Sequence, residues 1–158
     1  MARRRSARFA VGTFSTWDGA CEALRDLRVA GVDAKALSFL GLHRTMAGAT
    51  KHRFELQLRE LTLTRAGEPV CCTAGPLADR LAERVNDDAA SLQEALGLWL
   101  VPRHAARIQE AVEGGCLMLW IQLFDAHDER RACTVLLSHC SSVVEVHDLP
   151  ALPPANGQ

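Results

Sequence analysis

Apolar positions along this chain follow two periods, and the order in which the periods alternate predicts the architecture. Near the start, Arg8-Phe-Ala-Val-Gly-Thr-Phe14 gathers aromatic and β-branched residues into a short run that suits a strand. Ser15-Thr-Trp-Asp18 matches the Ser-x-x-acid helix start, and Trp17, Ala20, Cys21, Leu24 and Leu27 recur at helical spacing until Gly31. Val32 to Leu40 reads as a second strand, so residues 8–40 form a βαβ unit. The far end repeats the alternation. Gly114-Gly115 stops a helix, and Cys116 to Phe124 is a nearly continuous apolar run, as a central strand covered on both faces requires. Asp125 or Asp128 caps the next helix, with Ala132, Val135, Leu136 and His139 as its inward stripe, and Ser142 to His147 closes the pattern as a strand.

Between these units lies a longer middle. Phe54, Leu56 and Leu58 alternate with polar residues, Leu61 and Leu63 continue the alternation after a bulge, Arg65 to Pro69 forms a turn, and Val70-Cys-Cys-Thr73 returns as the second arm of a hairpin over 53–73. Pro76 opens a helix carrying Leu77, Leu81 and Val85; Ser91-Leu-Gln-Glu94 is a capping box; Pro102 opens a helix carrying Ala105, Ile108 and Val112. The pattern predicts an α/β (α+β) fold: a ferredoxin-like split βαβ sheet with an inserted β-hairpin and helical segment at about 42–113. Residues 8–148 are expected to form a single α/β domain, after a basic N-terminal tail at 1–7 and before a disordered, Pro-rich tail at 149–158.

The two ends resemble a known family. Val11-Gly-Thr-Phe-Ser-Thr-Trp-Asp-Gly-Ala-Cys-Glu-Ala-Leu-Arg-Asp-Leu-Arg-Val-Ala-Gly-Val32 resembles the opening of the bacterial general-stress-protein (heat-induced stress protein) domain family, in which a strand meets an Ala-rich helix ending in Ala-Gly. Ala74-Gly-Pro-Leu77, Ala95-Leu-Gly-Leu98, the helix at 102–113, Gly114-Gly115 and the closing strand–helix–strand resemble that family's later blocks in the same order, over about two thirds of the chain. Relatives commonly have a Gly/Ala-rich apolar middle, whereas this chain has the charged Thr50-Lys-His-Arg-Phe-Glu-Leu-Gln-Leu-Arg-Glu60, which argues against a membrane role. The resemblance implies a ferredoxin-like fold and a stress-associated role, and it assigns no catalytic residues to these positions.

Composition narrows the function classes. At 158 residues and 48% hydrophobic content, the chain is one domain in size and buries a core without metal or disulfide staples. Eighteen basic residues against nineteen acidic leave no long-range pull on nucleic acid. The apolar run after the basic start is too short for a signal peptide, and no stretch approaches the roughly 20 residues of a membrane span. A cytoplasmic protein with no nucleic-acid partner, no membrane partner and no cofactor is expected.

Candidate chemistry is sparse. Neither a Ser-His-Asp order nor a nucleotide fingerprint is present, and tyrosine, a common acid–base group, is absent. Cys71-Cys72 and the pair Cys133 and Cys140, seven apart on one helix beside His139, are metal or redox candidates, set against the plainer reading of buried, unreactive thiols. Thr73-Ala-Gly-Pro-Leu77 leads into a helix start, where free N–H groups attract anions; Thr73, Gly75, Arg103 and Arg107 are the candidate ligand-binding residues, and His104 joins the two arginines on a basic helix face. The leading expectation is a non-enzymatic accessory or stress-associated protein acting by self-association or protein binding. The alternatives are a small-ligand or anion-sensing domain, then a thiol- or metal-handling protein. A homodimer is expected through the sheet face that the two crossover helices leave open. Leu117, Leu119, Ile121 and Leu123 lie on one side of the strand at 116–124, Met118, Trp120 and Phe124 share the other with Gln122 alone, and both sides need cover. The insertion is the competing candidate for that cover.

Overall fold

The computed structural model describes residues 6–47, 58–61, 70–73, 76–86, 91–97, 99–139 and 144–149, with backbone alone for 58–61 and 82–86. In chain order these form β1 (Ala7–Phe14), α1 (Trp17–Val29), β2 (Leu37–Leu42), α2 (His43–Ala47), β3 (Leu58–Leu61), β4 (Val70–Thr73), α3 (Pro76–Asn86), α4 (Leu92–Leu96), α5 (Pro102–Glu113), β5 (Leu117–Leu123), α6 (Ala126–His139) and β6 (Glu145–Leu149). The strands make one six-stranded sheet ordered β3-β4-β2-β5-β1-β6, with every neighbouring pair antiparallel. Each βαβ unit is split by a strand of the other: β5 lies between β1 and β2, and β1 lies between β5 and β6. The hairpin β3–β4 extends the sheet beyond β2.

Local chemistry explains most element ends. Thr16, not Ser15, caps α1: its hydroxyl accepts from the Gly19 amide at 3.2 Å, so the helix start lies one residue later than the Ser-x-x-acid pattern predicts. Ser91 caps α4 by accepting from the Glu94 amide at 3.1 Å, as the capping box requires. Asp125 accepts from the Asp128 amide at 2.7 Å at the start of α6. Gly115, with φ of +90°, makes the left-handed turn between α5 and β5. Residues 32–36, expected to be strand, are taken by a short 3-10 turn over Ala34–Ala36 capped by the Asp33 carboxylate, and β2 starts only at Leu37. No sequence pattern announced α2. It is held by Met46, which is buried, and by the Trp17 indole donating to the Thr45 carbonyl at 2.8 Å.

The sheet carries a core on each face. Ala10, Phe14, Phe39, Leu117, Leu119, Ile121 and Leu123 meet Ala20, Ala23 and Leu27 of α1 and Ala132 and Leu136 of α6. The opposite face presents Phe9, Val11, Leu40, Cys72, Met118 and Trp120, and it is filled by Leu77 and Leu81 of α3, Leu92 and Leu96 of α4, and Ala105, Ile108 and Val112 of α5. Cover for this face therefore comes from the insertion, so the packing no longer calls for a second subunit there. Phe124, counted among the residues needing cover, lies past the end of β5 and is 72% exposed. Leu149, expected at the start of a disordered tail, is instead the fully buried last residue of β6. Among the described residues no helix is long and apolar enough to cross a membrane.

Candidate functional site

The polar residues that converge do so where α5 crosses the outer strand β6. Strand alternation puts Glu145, His147 and Leu149 on the face towards α5, while Val144 and Val146 pack with the α1/α6 core. Leu149 continues the core, whereas the two residues before it on that face are a carboxylate and an imidazole. On α5 the buried stripe is Ala105, Ile108 and Val112. His104 and Arg107 each precede a stripe residue by one position, about 100° around the helix, and so flank the apolar contact.

Glu145 is the hub. Its Oε2 accepts from His147 Nε2 at 2.8 Å, and its Oε1 pairs with Arg107 Nη2 at 2.8 Å. Arg107 Nη2 also donates to His104 Nδ1 at 2.7 Å, so this nitrogen holds a lone pair; Glu145 Oε1 lies 3.3 Å from it. Burial works against a charged Glu145, but the His147 hydrogen bond and the Arg107 charge help outweigh it and hold the carboxyl below the usual carboxylate range. The rings are packed as well as bonded. His147 meets His104 edge to face at 5.2 Å between centroids, and Trp120 at 6.3 Å with 33° between planes. Trp120 is in turn set by Phe9, 5.8 Å away and nearly perpendicular. Arg103, Ala106 and Glu110 join His104, Arg107 and Glu145 in lining an open cleft of about 760 Å³, while the mostly buried His147 is not part of its lining.

The sequence-predicted site residues separate. Arg103 and Arg107 line this cleft. Thr73 does not join them: it ends β4, and three strands lie between β4 and β6, about 19 Å of sheet at the usual strand spacing. Its hydroxyl accepts from the Phe39 amide at 2.8 Å, which ties β4 to β2. Gly75 lies outside the described residues. Cys71 and Cys72 point to opposite faces, Cys71 into the α1/α6 core and Cys72 into the α3–α5 core, so the pair does not share a ligand. Cys71 Sγ is 3.5 Å from His43 Nδ1. Cys133 is half-buried on α6, and Cys140 lies outside the described residues.

Burial raises the thiol pKa of Cys21, with nearby Asp18 adding to it, and burial with nearby Glu129 does the same for Cys133. Both should therefore label slowly with N-ethylmaleimide near neutrality, and their labelling should rise with pH later than that of a free thiol, whose pKa is about 8.5. Peptide-resolved mass spectrometry of native protein checks this, and rapid modification of either residue at pH 7 contradicts it.

Glu145 and His147 are the functional candidates that the sequence pattern missed. The signal was present: a Glu-x-His pair shares one strand face with Leu149, in a sheet whose positions on that face are mostly apolar, Ser38 and Gln122 being exceptions. Comparisons with protein-family models, with curated proteins and with solved structures find no match for this chain.

Proposed function

We propose that this chain is a small-ligand-binding domain whose ligand is recognised in the cleft between α5 and β6. The observation that carries the proposal is the convergence of His104, Arg107, Glu145 and His147 from a helix and a strand at one half-buried place. The buried positions of the sheet are otherwise mostly apolar, with Ser38 and Thr73 as the buried polar residues among the described ones. A polar cluster built on two rigid elements and backed by packed aromatic rings is preorganised for binding.

This favours the second of the expected functions over the first. Self-association was argued from an apolar face left open, and α3, α4 and α5 occupy that face. A sensing or carrier role is compatible with the stress-associated one that the family resemblance implies, because neither needs a nucleophile or a catalytic acid.

A thermal-shift panel of metal chlorides, phosphate, citrate and nucleoside monophosphates tests the proposal. A compound at 100 times its Kd adds about 2.7 kcal/mol, equivalent to roughly 5–10 °C for a domain of this size. The expected result is at least one such shift in the wild type that shrinks in the folded variant Glu145→Gln where the compound is a cation, or in Arg107→Met where it is an anion. A panel without a shift, or a shift unchanged in the matching variant, rejects the cleft as the binding site.

A further inference from the structure

Resting on that reading of the cleft, we infer that its ligand is a divalent transition-metal ion of the zinc class, held by His104 Nδ1, Glu145 and His147 Nε2. The metal replaces the proton that His147 Nε2 shares with Glu145, and that proton moves to Nδ1 or to solvent. The three donor groups lie within 4.8 Å of one another and are the only such trio among the described residues. Two imidazoles and one carboxylate form a borderline-soft set that suits zinc, cobalt or nickel better than calcium or magnesium, which prefer all-oxygen shells.

The donor atoms stand close to the spacing of a tetrahedral centre. Bonds of about 2.0–2.1 Å to each ligand require donor atoms about 3.3 Å apart. His104 Nδ1 stands 3.3 Å from Glu145 Oε1 and His147 Nε2 stands 2.8 Å from the other oxygen, Oε2, so the Glu145 carboxylate must turn for one of its oxygens and both imidazoles to reach a single ion. The ligands come from rigid supports, two from alternate positions of β6 and one from the first turn of α5. Packing of His147 against Trp120 fixes its ring plane, the role that neighbouring groups usually play around a metal. Three protein ligands leave a fourth position facing the cleft for water or an anion.

Arg107 decides between this inference and a purely structural ion-pair network. Its Nη2 touches both the lone pair of His104 Nδ1 and Glu145 Oε1, which places a positive charge against two of the three donors. The side chain is 51% exposed, so it can swing into solvent when a cation arrives. Arg107 is thus a placeholder that competes with the metal. Removing it should strengthen metal binding, whereas an anionic ligand in the same cleft would lose its main partner and bind more weakly.

The test is isothermal titration of the full chain with zinc chloride, alongside visible spectra of the cobalt-substituted protein. The expected outcome is one-to-one binding that weakens on the order of 100-fold in His147→Asn and in His104→Asn, and that tightens several-fold in Arg107→Met, with unchanged far-UV circular dichroism in each. His104 is on a helix surface, so its variant reports even if His147→Asn folds poorly. Cobalt should give d–d bands without a thiolate charge-transfer band. Absence of saturable zinc binding, binding indifferent to both histidines, or a thiolate band overturns the inference. If a phosphate or carboxylate compound stabilises the wild type and loses affinity in Arg107→Met while zinc does not bind, the cleft remains the binding site and the metal is wrong. If nothing of either class binds there, both fall.

Discussion

Trp120→Ala is expected to lower the unfolding free energy by about 3–5 kcal/mol, the upper range for truncating a large core side chain. Trp120 is fully buried near the middle of the sheet, opposite Val11 on β1 and Ser38 on β2, with Phe9 and His147 against its ring. Its loss leaves a cavity beneath α5 that rigid strands cannot close. Trp120 also carries a liability, because its buried indole Nε1 has no hydrogen-bond partner among the described residues. Trp120→Phe keeps most of the apolar contact and removes that unpaired donor, so it should cost under about 2 kcal/mol. Urea unfolding measures both. Because the indole supports His147, the Ala variant should also weaken ligand binding in the cleft while the Phe variant keeps it. An Ala variant within about 1 kcal/mol of wild type would mean that the α3–α5 layer does not pack as described.

Leu81→Ala in α3 and Leu96→Ala in α4 should each cost about 2–5 kcal/mol. Both leucines are fully buried in one cluster with Phe9 and Trp120, so the inserted helices share their core with the first and fifth strands. Leu136→Ala lies beyond the sheet in the other core. Its effect should add to that of Leu96→Ala within about 0.5 kcal/mol, since the two sites share no partners. Tryptophan fluorescence and far-UV circular dichroism should report one coincident transition in every variant. Two separated transitions, or Leu81→Ala that leaves the main transition in place, would show that the insertion folds apart from the sheet.

Much of the architecture was legible because packing enforced the periodicity that the sequence displays. The run around Trp120 needed cover on both sides, and the structure gives it cover on both. The sequence pattern left open whether a second subunit or the insertion supplied that cover, since an amphipathic stripe such as Ala105, Ile108 and Val112 says that a helix buries one face but not against what. Turn chemistry misled locally: Ser15 and Thr16 are both good caps, and only backbone geometry selects Thr16. The site was half legible. Arg103, His104 and Arg107 declared themselves as a basic helix face, but their acidic and imidazole partners lie about 40 residues on, and no local spacing links α5 to β6. Thr73 was drawn into the candidate set by a helix start, while its hydroxyl serves a neighbouring strand.

The most direct test of the account is where a bound ligand is felt. Two-dimensional 1H–15N spectra of uniformly labelled protein, titrated with the strongest stabiliser from the thermal-shift panel, should show their largest amide changes in residues 102–110 and 145–149. The amides of α1 and the far edge of the sheet should stay in place. Largest changes around Thr73 and the start of α3, or on the exposed sides of α1 and α6, with α5 and β6 unmoved, would contradict it.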